Sequence, residues 1–428
     1  MIIKPSRIIP YLCKMVMRYF YTFFIYIYTL LIKCAALFNT KARLWVKGRH
    51  KIIDIISQRL KDETAPLVWF HASSLGEFEQ GRPVIETLKR DYPHYKIVLT
   101  FFSPSGFEIR KNYNSADYIF YLPSDTMTHA KKFVSIVKPK IAIFIKYEFW
   151  FNYIHFLSLN RIPIFYISAI FRNGHYFFKF YGCWSLKQLQ KAEYFFVQDN
   201  FSEEILQSHG ISKVSVAGDT RFDRVVDITT SHQKLPLIEC FKGKNLIFIA
   251  GSTWDKDVEL IFKLSELMPP EIKFIIAPHL IDKSNLIKLK VLFGKSSCFY
   301  SELNIENAST YRTVIIDNIG MLSTLYSYGY VAYIGGGFGK GIHNILEAAC
   351  YGLPVLFGPQ YKKFREAHEL KALKTAFSIK DCNELIQITH QLFDDKKFYA
   401  DISEKNKNFV ISHSGTVKKI MDRIKTYL

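Results

Sequence analysis

Two carboxylates stand just beyond strand-like apolar runs, where an acid or a base could meet a substrate. Leu67–His71 is followed by Ala72-Ser73-Ser74-Leu75-Gly76-Glu77-Phe78-Glu79 and then by a helical pattern over Glu79–Lys89. A carboxylate at the C-terminal end of a strand is well placed as a general base, with Gly76 permitting the turn. A helix start also selects an acidic residue, because the macrodipole stabilises it. Spacing alone leaves these two readings of Glu77 equal. Glu148 lies in Lys146-Tyr147-Glu148-Phe149-Trp150, after the run Ile141–Lys146. One charge among bulky aromatics needs a partner, a ligand or a raised pKa. An ion pair with Lys146 or a nearby arginine is the purely structural alternative. In Gly218-Asp219-Thr220-Arg221-Phe222-Asp223-Arg224, Arg221 could face an anionic substrate, with Asp223 and Arg224 paired beside a hinge.

A different chemistry is written between Val331 and Glu369 (VAYIGGGFGKGIHNILEAACYGLPVLFGPQYKKFREAHE). A strand over Tyr330–Ile334 runs into Gly335, Gly336 and Gly337, then Gly339 and Gly341, before a helix expected to open around His343–Asn344. Such a loop turns sharply and can offer backbone N–H groups to a phosphate, and a helix N-terminus aimed at the same point adds partial positive charge. Glu347 falls three residues after Asn344 on one helical face, where a carboxylate can accept two hydrogen bonds from a ribose diol. The alternative is a tight connection with no ligand. Gly251-Ser252-Thr253-Trp254 is a second phosphate-compatible segment, with Ser252 its candidate contact. Pro278-His279 and Asn318-Ile319-Gly320-Met321 end the neighbouring strands. Asp255-Lys256-Asp257 has a D-x-D pattern but falls inside a helix, and reads as solvated surface rather than a metal site.

These residues need a scaffold. A chain of 428 residues with 49% hydrophobic residues suggests two globular domains. Short apolar runs alternate with helical patterns, which implies parallel sheets covered on both faces. The first set is Leu67–His71, Lys96–Phe101, Tyr118–Leu122, Ile141–Lys146, Ile164–Ser168 and Tyr194–Val197. A polar stretch over Thr229–Leu235 is the expected linker. The second set is Leu246–Ala250, Phe274–Ala277, Val314–Asp317, Tyr330–Ile334 and Pro354–Phe357, and two polar helices over about Asp395–Leu428 close the chain. The expected division is 1–47 as anchor and basic linker, 48–230 as a first Rossmann-like domain and 231–428 as a second, whose last helix could pack back on the first. Two doubly wound domains facing a cleft place ligands at the C-terminal ends of their strands.

Charge and hydropathy single out the N-terminus. The net charge is +19, and residues 1–51 hold ten Lys or Arg and no acid, leaving +9 over the other 377. Tyr19–Ile32 (YFYTFFIYIYTLLI) is apolar and aromatic throughout, and the tyrosines and phenylalanines suit a headgroup interface. Fourteen helical residues reach about 21 Å against a bilayer core of about 30 Å. A membrane-embedded helix is therefore expected, either crossing or lying in one leaflet; a cleaved signal peptide is the competitor, since Cys34-Ala35-Ala36 loosely resembles a cleavage site. Six basic residues after the run obey the positive-inside tendency and direct the remainder to the cytoplasmic face. Seven scattered cysteines without a C-x-x-C pair fit reduced thiols, and neither a disulfide framework nor a zinc site.

The segments HASSLGEFEQGRPVIE, SPSGFE, KYEFWFNY, GDTRFDR, AGSTW, APH and GGGFGKGIHNILEAACYGLPVLFGP, in this order behind an apolar N-terminus, resemble the 3-deoxy-D-manno-octulosonic acid (Kdo) transferases of lipid A assembly. The resemblance covers nearly the whole chain. It implies an α/β GT-B fold and an inverting transfer of Kdo from CMP-Kdo to a lipid A precursor (lipid IVA) at the inner membrane. By the match of S-x-G-E, Glu77 would be the general base, and Glu148 and Arg221 would steady the transition state. The nucleotide would contact Pro278–His279, Ile319–Met321 (Ile319, Gly320, Met321) and Asn344–Glu347 (Asn344, Ile345, Leu346, Glu347), with Gly336 and Gly337 of the glycine loop. The resemblance implies no metal and no cofactor, with CMP-Kdo, the lipid acceptor and anionic lipid as partners and no nucleic acid. His279, Met321 and Phe151 depart from the family's usual arginine, acid and proline, which puts cytidine contacts in doubt more than Glu77.

Two rival readings remain on sequence grounds. A GT-B transferase using a UDP-sugar and a lipid-linked acceptor is disfavoured by the S-x-G-E segment. A non-enzymatic membrane-tethered nucleotide binder, or a basic nucleic-acid binder, would lack a base and lose affinity steeply with salt.

Overall fold

The computed structural model describes residues 5–230 and 234–428. Their contacts divide the chain into two units: the residues through Asp223 together with Gly415–Leu428, and Arg224–Ser414. Residues 231–233 of the expected linker lie outside the described residues; the helix Thr220–Thr230 precedes them and the helix Pro236–Lys242 follows.

The first unit is built on β1 (Leu67–Ala72), β2 (Lys96–Phe101), β3 (Tyr118–Tyr121), β4 (Ile141–Ile145), β5 (Ile164–Ala169), β6 (Tyr194–Val197) and β7 (Val214–Val216). They form one sheet in the order β3-β2-β1-β4-β5-β6-β7, and every pairing is parallel. All six residues of β1 and all five of β4 are buried, as unbroken apolar runs covered on both faces must be. The strand order reverses between β1 and β4, so their C-terminal ends flank a crevice, the place where open α/β sheets bind ligands.

The second unit repeats the plan with β8 (Leu246–Thr253), β9 (Ile272–Pro278), β10 (Ser297–Phe299), β11 (Thr313–Ile315), β12 (Val331–Ile334), β13 (Val355–Phe357) and β14 (Ala376–Ser378). Its order is β10-β11-β9-β8-β12-β13-β14, again all parallel, and the reversal falls between β8 and β12. The sheet edge β10 is a short strand that the sequence pattern does not announce.

The last helix, Thr416–Ile424, belongs to the first unit. Val417, Ile420, Met421 and Ile424 pack with Val68, Phe70, Val84 and Leu88. At roughly 1.5–3 kcal/mol for each fully buried side chain, this face contributes several kcal/mol. Asp223 accepts hydrogen bonds from the N–H groups of Gly415 (2.9 Å), Thr416 (3.1 Å) and Val417 (3.3 Å), so it caps this helix.

The N-terminal helix, Pro5–Ala35, docks by one face onto the first unit. Tyr21 donates to Asp125 at 2.6 Å, Asn152 donates to Thr22 at 3.1 Å, and the Tyr21 ring meets Phe151 edge-on at 5.1 Å. Burial pushes the Asp125 carboxyl up to about 7, even though Tyr21 and two backbone N–H groups donate to it. Tyr19, Phe20, Phe23, Phe24, Leu30 and Leu31 face outward and are exposed. Among the described residues no helix is long and apolar enough to cross a membrane.

Candidate active site

At the β1/β4 crevice the chain leaves β1 through Ser73 and Ser74 into the helix Leu75–Asp91. Glu77 is the third residue of that helix. Its Oε2 accepts the N–H groups of Ser73 (2.7 Å) and Ser74 (3.1 Å), while Ser74 Oγ accepts the Glu77 N–H at 3.5 Å. Glu77 thus closes a capping box, as the helix-start reading has it, just beyond the C-terminal end of β1. Its carboxyl is pushed up to about 8, first by burial and then by the nearby Glu148, against the opposing pull of the two backbone donors and Lys146. Gly76 makes no turn. It lies in the first helical turn, and a Cβ there would meet nothing within 4 Å, so packing does not require its lack of a side chain.

Glu148 follows β4 and is 6% exposed. Its side-chain partners include Trp150 and His71. Trp150 Nε1 donates to Glu148 Oε2 at 2.6 Å, and His71 Nε2 lies 3.1 Å from the same oxygen. Sequence reasoning passed over His71 and Trp150. The signal was present in β1, where a histidine interrupts an apolar run buried on both faces. Arg221 donates through Nε and Nη2 to Asp219 at 2.9 and 2.7 Å, so the guanidinium proposed to face an anion is paired within its own loop.

The second site surrounds the β8/β12 reversal. The strand before the glycine loop is Val331–Ile334, but the helix after it is only Leu346–Ala349, not one opening at His343–Asn344. One turn has little macrodipole, which removes half of the expected anion site. The loop's own N–H groups are also largely committed. Gly335 donates to Gly251 O, Gly339 and Gly341 to Gly336 O, and His343 to Gly335 O. Gly336 donates to Asp257 Oδ2 at 2.8 Å. Gly336 has φ +90°, and a Cβ there would come within 2.5 Å of Gly341 O. Gly336 and Gly337 are both buried, so their small size serves backbone packing.

Asp257 corrects another expectation. It is 1% exposed, not solvated, and besides Gly336 it accepts the Trp254 N–H at 2.9 Å and the Tyr333 hydroxyl at 2.7 Å. It ties the start of the helix Asp255–Leu267 to β12 and the glycine loop. Over this brace three rings stack. Trp254 lies 4.6 Å from His279, and His279 lies 4.5 Å from His343, with interplanar angles of 24° and 27°. Trp254 Nε1 donates to His343 Nε2 at 3.3 Å. Burial, with His279 beside it, pushes His343 down to about 4, and burial also lowers His279, so both rings are neutral near pH 7.

The remaining candidates distribute as follows. Asn344 Nδ2 donates to Glu347 Oε1 at 2.9 Å, which presents a joined amide and carboxylate. Ile345 and Leu346 are fully buried, so only their main chains can meet a ligand. Ser252 adopts φ +54° near the end of β8, and Pro278 ends β9. After β11, Ile319 is 90% exposed and Gly320 has φ +100°. His279, Ser252 and Asn344–Glu347 thus follow or end strands at or beside the reversal, whereas Gly336 and Gly337 lie beneath it.

Two Rossmann-like parallel sheets in one chain, with acidic side chains at one strand reversal and an aromatic, carboxylate-bearing surface at the other, define an α/β protein of the GT-B class. The UDP-GlcNAc 2-epimerase of Neisseria meningitidis, solved bound to UDP-GlcNAc, superimposes with a TM-score of 0.57 at 18% identity, covering 84% of this chain and 100% of that one. That likeness is one of fold alone, and a fold does not choose a reaction. Sequence does. A family model for 3-deoxy-D-manno-octulosonic-acid transferase (Kdo transferase) matches residues 48–224. The Kdo transferase of Haemophilus influenzae is 27% identical over 387 residues, covering 84% of this chain and 87% of its own length. That of Aquifex aeolicus is 28% identical over 342 residues, covering 77% and 87%. The chain is thus similar over most of its length to Kdo transferases, and is a glycosyltransferase.

Proposed function

We propose that the chain transfers Kdo from CMP-Kdo to a hydroxyl of a tetra-acylated lipid A precursor, with inversion, and that Glu77 is the general base. The observation that carries this reading is the Glu77 carboxyl, held at a strand reversal with its proton affinity raised to about 8. A group titrating there both takes a proton from an alcohol more readily than an ordinary carboxylate and is ionised in part near neutrality. In its ionised form Glu77 removes the acceptor hydroxyl proton as the oxygen attacks the anomeric carbon of Kdo. A new C–O bond forms, the bond to the cytidylate phosphate breaks, and CMP leaves with the electron pair.

Glu148 and Arg221 steady charge around the reacting centre in this reading. Arg221 would do so by exchanging part of its Asp219 pairing for the substrate. The Asn344–Glu347 pair takes the ribose diol, and Ser252, Pro278–His279 and the Ile319–Met321 loop complete the nucleotide site. Because His279 and His343 are neutral, stacking rather than charge is what these rings offer. The leaving group carries a single phosphate, so the reading assigns no metal ion.

The outward face of the N-terminal helix, with its basic surroundings, lies in one leaflet of the cytoplasmic membrane beside the acylated acceptor. Supplying the purified protein with CMP-Kdo and a tetra-acylated lipid A precursor, and weighing the product, tests the whole reading. A mass increase of one or more Kdo units supports it. An increase only with a UDP-sugar donor replaces it.

A further inference from the structure

Two separate sets of contacts run from the N-terminal helix to the loop that carries Glu148. The first passes through Asp125, which is 1% exposed. The helix Phe151–Leu159 begins directly after that loop with Trp150 at its N-cap, and an indole has no oxygen to accept the first N–H groups. Asp125 supplies the missing cap from a distant part of the chain. Its Oδ2 accepts the Asn152 N–H at 3.2 Å and its Oδ1 the Tyr153 N–H at 3.1 Å. The same Oδ2 accepts the Tyr21 hydroxyl at 2.6 Å, and Asn152 Nδ2 donates to Thr22 Oγ1 at 3.1 Å. Tyr21 and Thr22 thus grip the first turn of this helix through a carboxylate and an amide.

The second set is aromatic. Tyr28 stands two turns beyond Tyr21 on the same face of the N-terminal helix. Its ring stacks on Phe102 at 6.3 Å and 22°, and Phe102 lies 4.8 Å from Trp150 at 33°. Arg49 holds Phe102 by its backbone, donating from Nη2 to the carbonyl oxygen at 2.8 Å. The Trp150 indole N–H ends the series. It points at Glu148 Oε2, 2.6 Å away, and at His71 Nε2, 3.0 Å away.

We propose that Tyr21 and Tyr28 are positioning residues for transfer: the seated N-terminal helix sets the Trp150 ring, and through the indole N–H it sets the place of the Glu148 carboxyl group. The helix is then part of the site as well as an anchor. The proposal rests on Glu148 acting at the reacting centre. The two fail separately, because normal turnover by Glu148→Gln removes that role, whereas the spectroscopic test below reads the seating without turnover.

Turnover is measured with CMP-Kdo and a tetra-acylated acceptor dispersed in detergent, so that vesicle binding does not enter. Tyr21→Phe removes a hydroxyl and Tyr28→Leu a ring, and each should lower kcat about 10–100-fold with KM for CMP-Kdo unchanged. Tyr28→Phe keeps the ring and should recover most of the rate. A helix that served only as an anchor would leave kcat in detergent intact. Unchanged kcat, or a Tyr28→Phe variant as slow as Tyr28→Leu, overturns the proposal. The second test needs no activity. The Trp150 indole gives one of the five tryptophan side-chain signals in a ¹⁵N–¹H spectrum, identified by its loss in Trp150→Phe. It should shift or broaden in Tyr21→Phe and Tyr28→Leu and stay in place in Phe23→Ser with Phe24→Ser, whose side chains face outward. A signal unmoved by the two tyrosine variants, or moved equally by the outward pair, overturns the proposal.

Discussion

Asp257 accepts the Gly336 N–H at 2.8 Å, and through that bond the start of one helix holds the glycine loop of the second unit in place. The same carboxylate accepts from Trp254 and Tyr333. Asp257→Ala strands two backbone N–H groups and a tyrosine hydroxyl, and should cost about 2–4 kcal/mol. Urea unfolding of the full chain measures it, and CMP affinity should fall in parallel because Trp254 and His343 lose their support. A variant as stable as the wild type would show that the brace is dispensable.

Glu77 makes pH a direct probe. A base must be ionised, so kcat/KM should climb with pH and level off above about 8, where the carboxyl titrates. The stability effect has the opposite sign. A carboxyl raised in the folded state favours folding while protonated, and that contribution is lost as pH rises from the unfolded value through about 8. Glu77→Gln should therefore be inactive yet melt about 2–4 °C above the wild type at pH 9, corresponding to about 1 kcal/mol after solvent screening. The difference should vanish near pH 4.

Glu347 joined to Asn344 is assigned to the ribose. Glu347→Ala removes two prospective hydrogen bonds to a diol and should weaken CMP binding by about 10–100-fold, roughly 1.5–3 kcal/mol. Calorimetric titration with CMP reads this directly, and 2′,3′-dideoxy-CMP should be bound almost equally by variant and wild type.

The outward aromatics of the N-terminal helix separate docking from membrane contact. Phe23→Ser with Phe24→Ser alters two exposed side chains and should leave the melting temperature unchanged. Co-sedimentation with vesicles containing anionic lipid should fall at least tenfold, the loss of about 1.5 kcal/mol or more of apolar burial. Undiminished sedimentation would place the contact elsewhere.

Chelation tests the leaving-group argument. Turnover should persist in excess EDTA, measured by release of CMP, because the reading routes no step through a metal. Loss of activity restored by a divalent cation would require a different account of the departing phosphate.

Much of the scaffold was legible because its signals are local. Apolar runs of four to eight residues separated by helical patterns give two parallel sheets, and the acid at the head of the helical pattern after β1 gives a helix start. The glycine run at 335–337 was equally visible, but its meaning was not. Glycine marks either a ligand or a neighbouring backbone, and only coordinates show Gly341 O at the place a Gly336 Cβ would need. Asp257 was misread for a related reason: its helical position is local information, whereas Gly336 and Tyr333 come to it from more than seventy residues away. His71 and Glu148 are likewise 77 residues apart.

What the sequence determined by itself, then, was the class of fold and the resemblance to Kdo transferases, since these follow from periodicity and from ordered motifs. Tertiary structure alone decided which candidate groups stay available. It placed Arg221 against Asp219, closed most loop N–H groups onto their own backbone, and set His71 behind Glu148. Proton affinity and hydrogen-bond commitment depend on burial and on partners distant in the chain, and no local pattern records them.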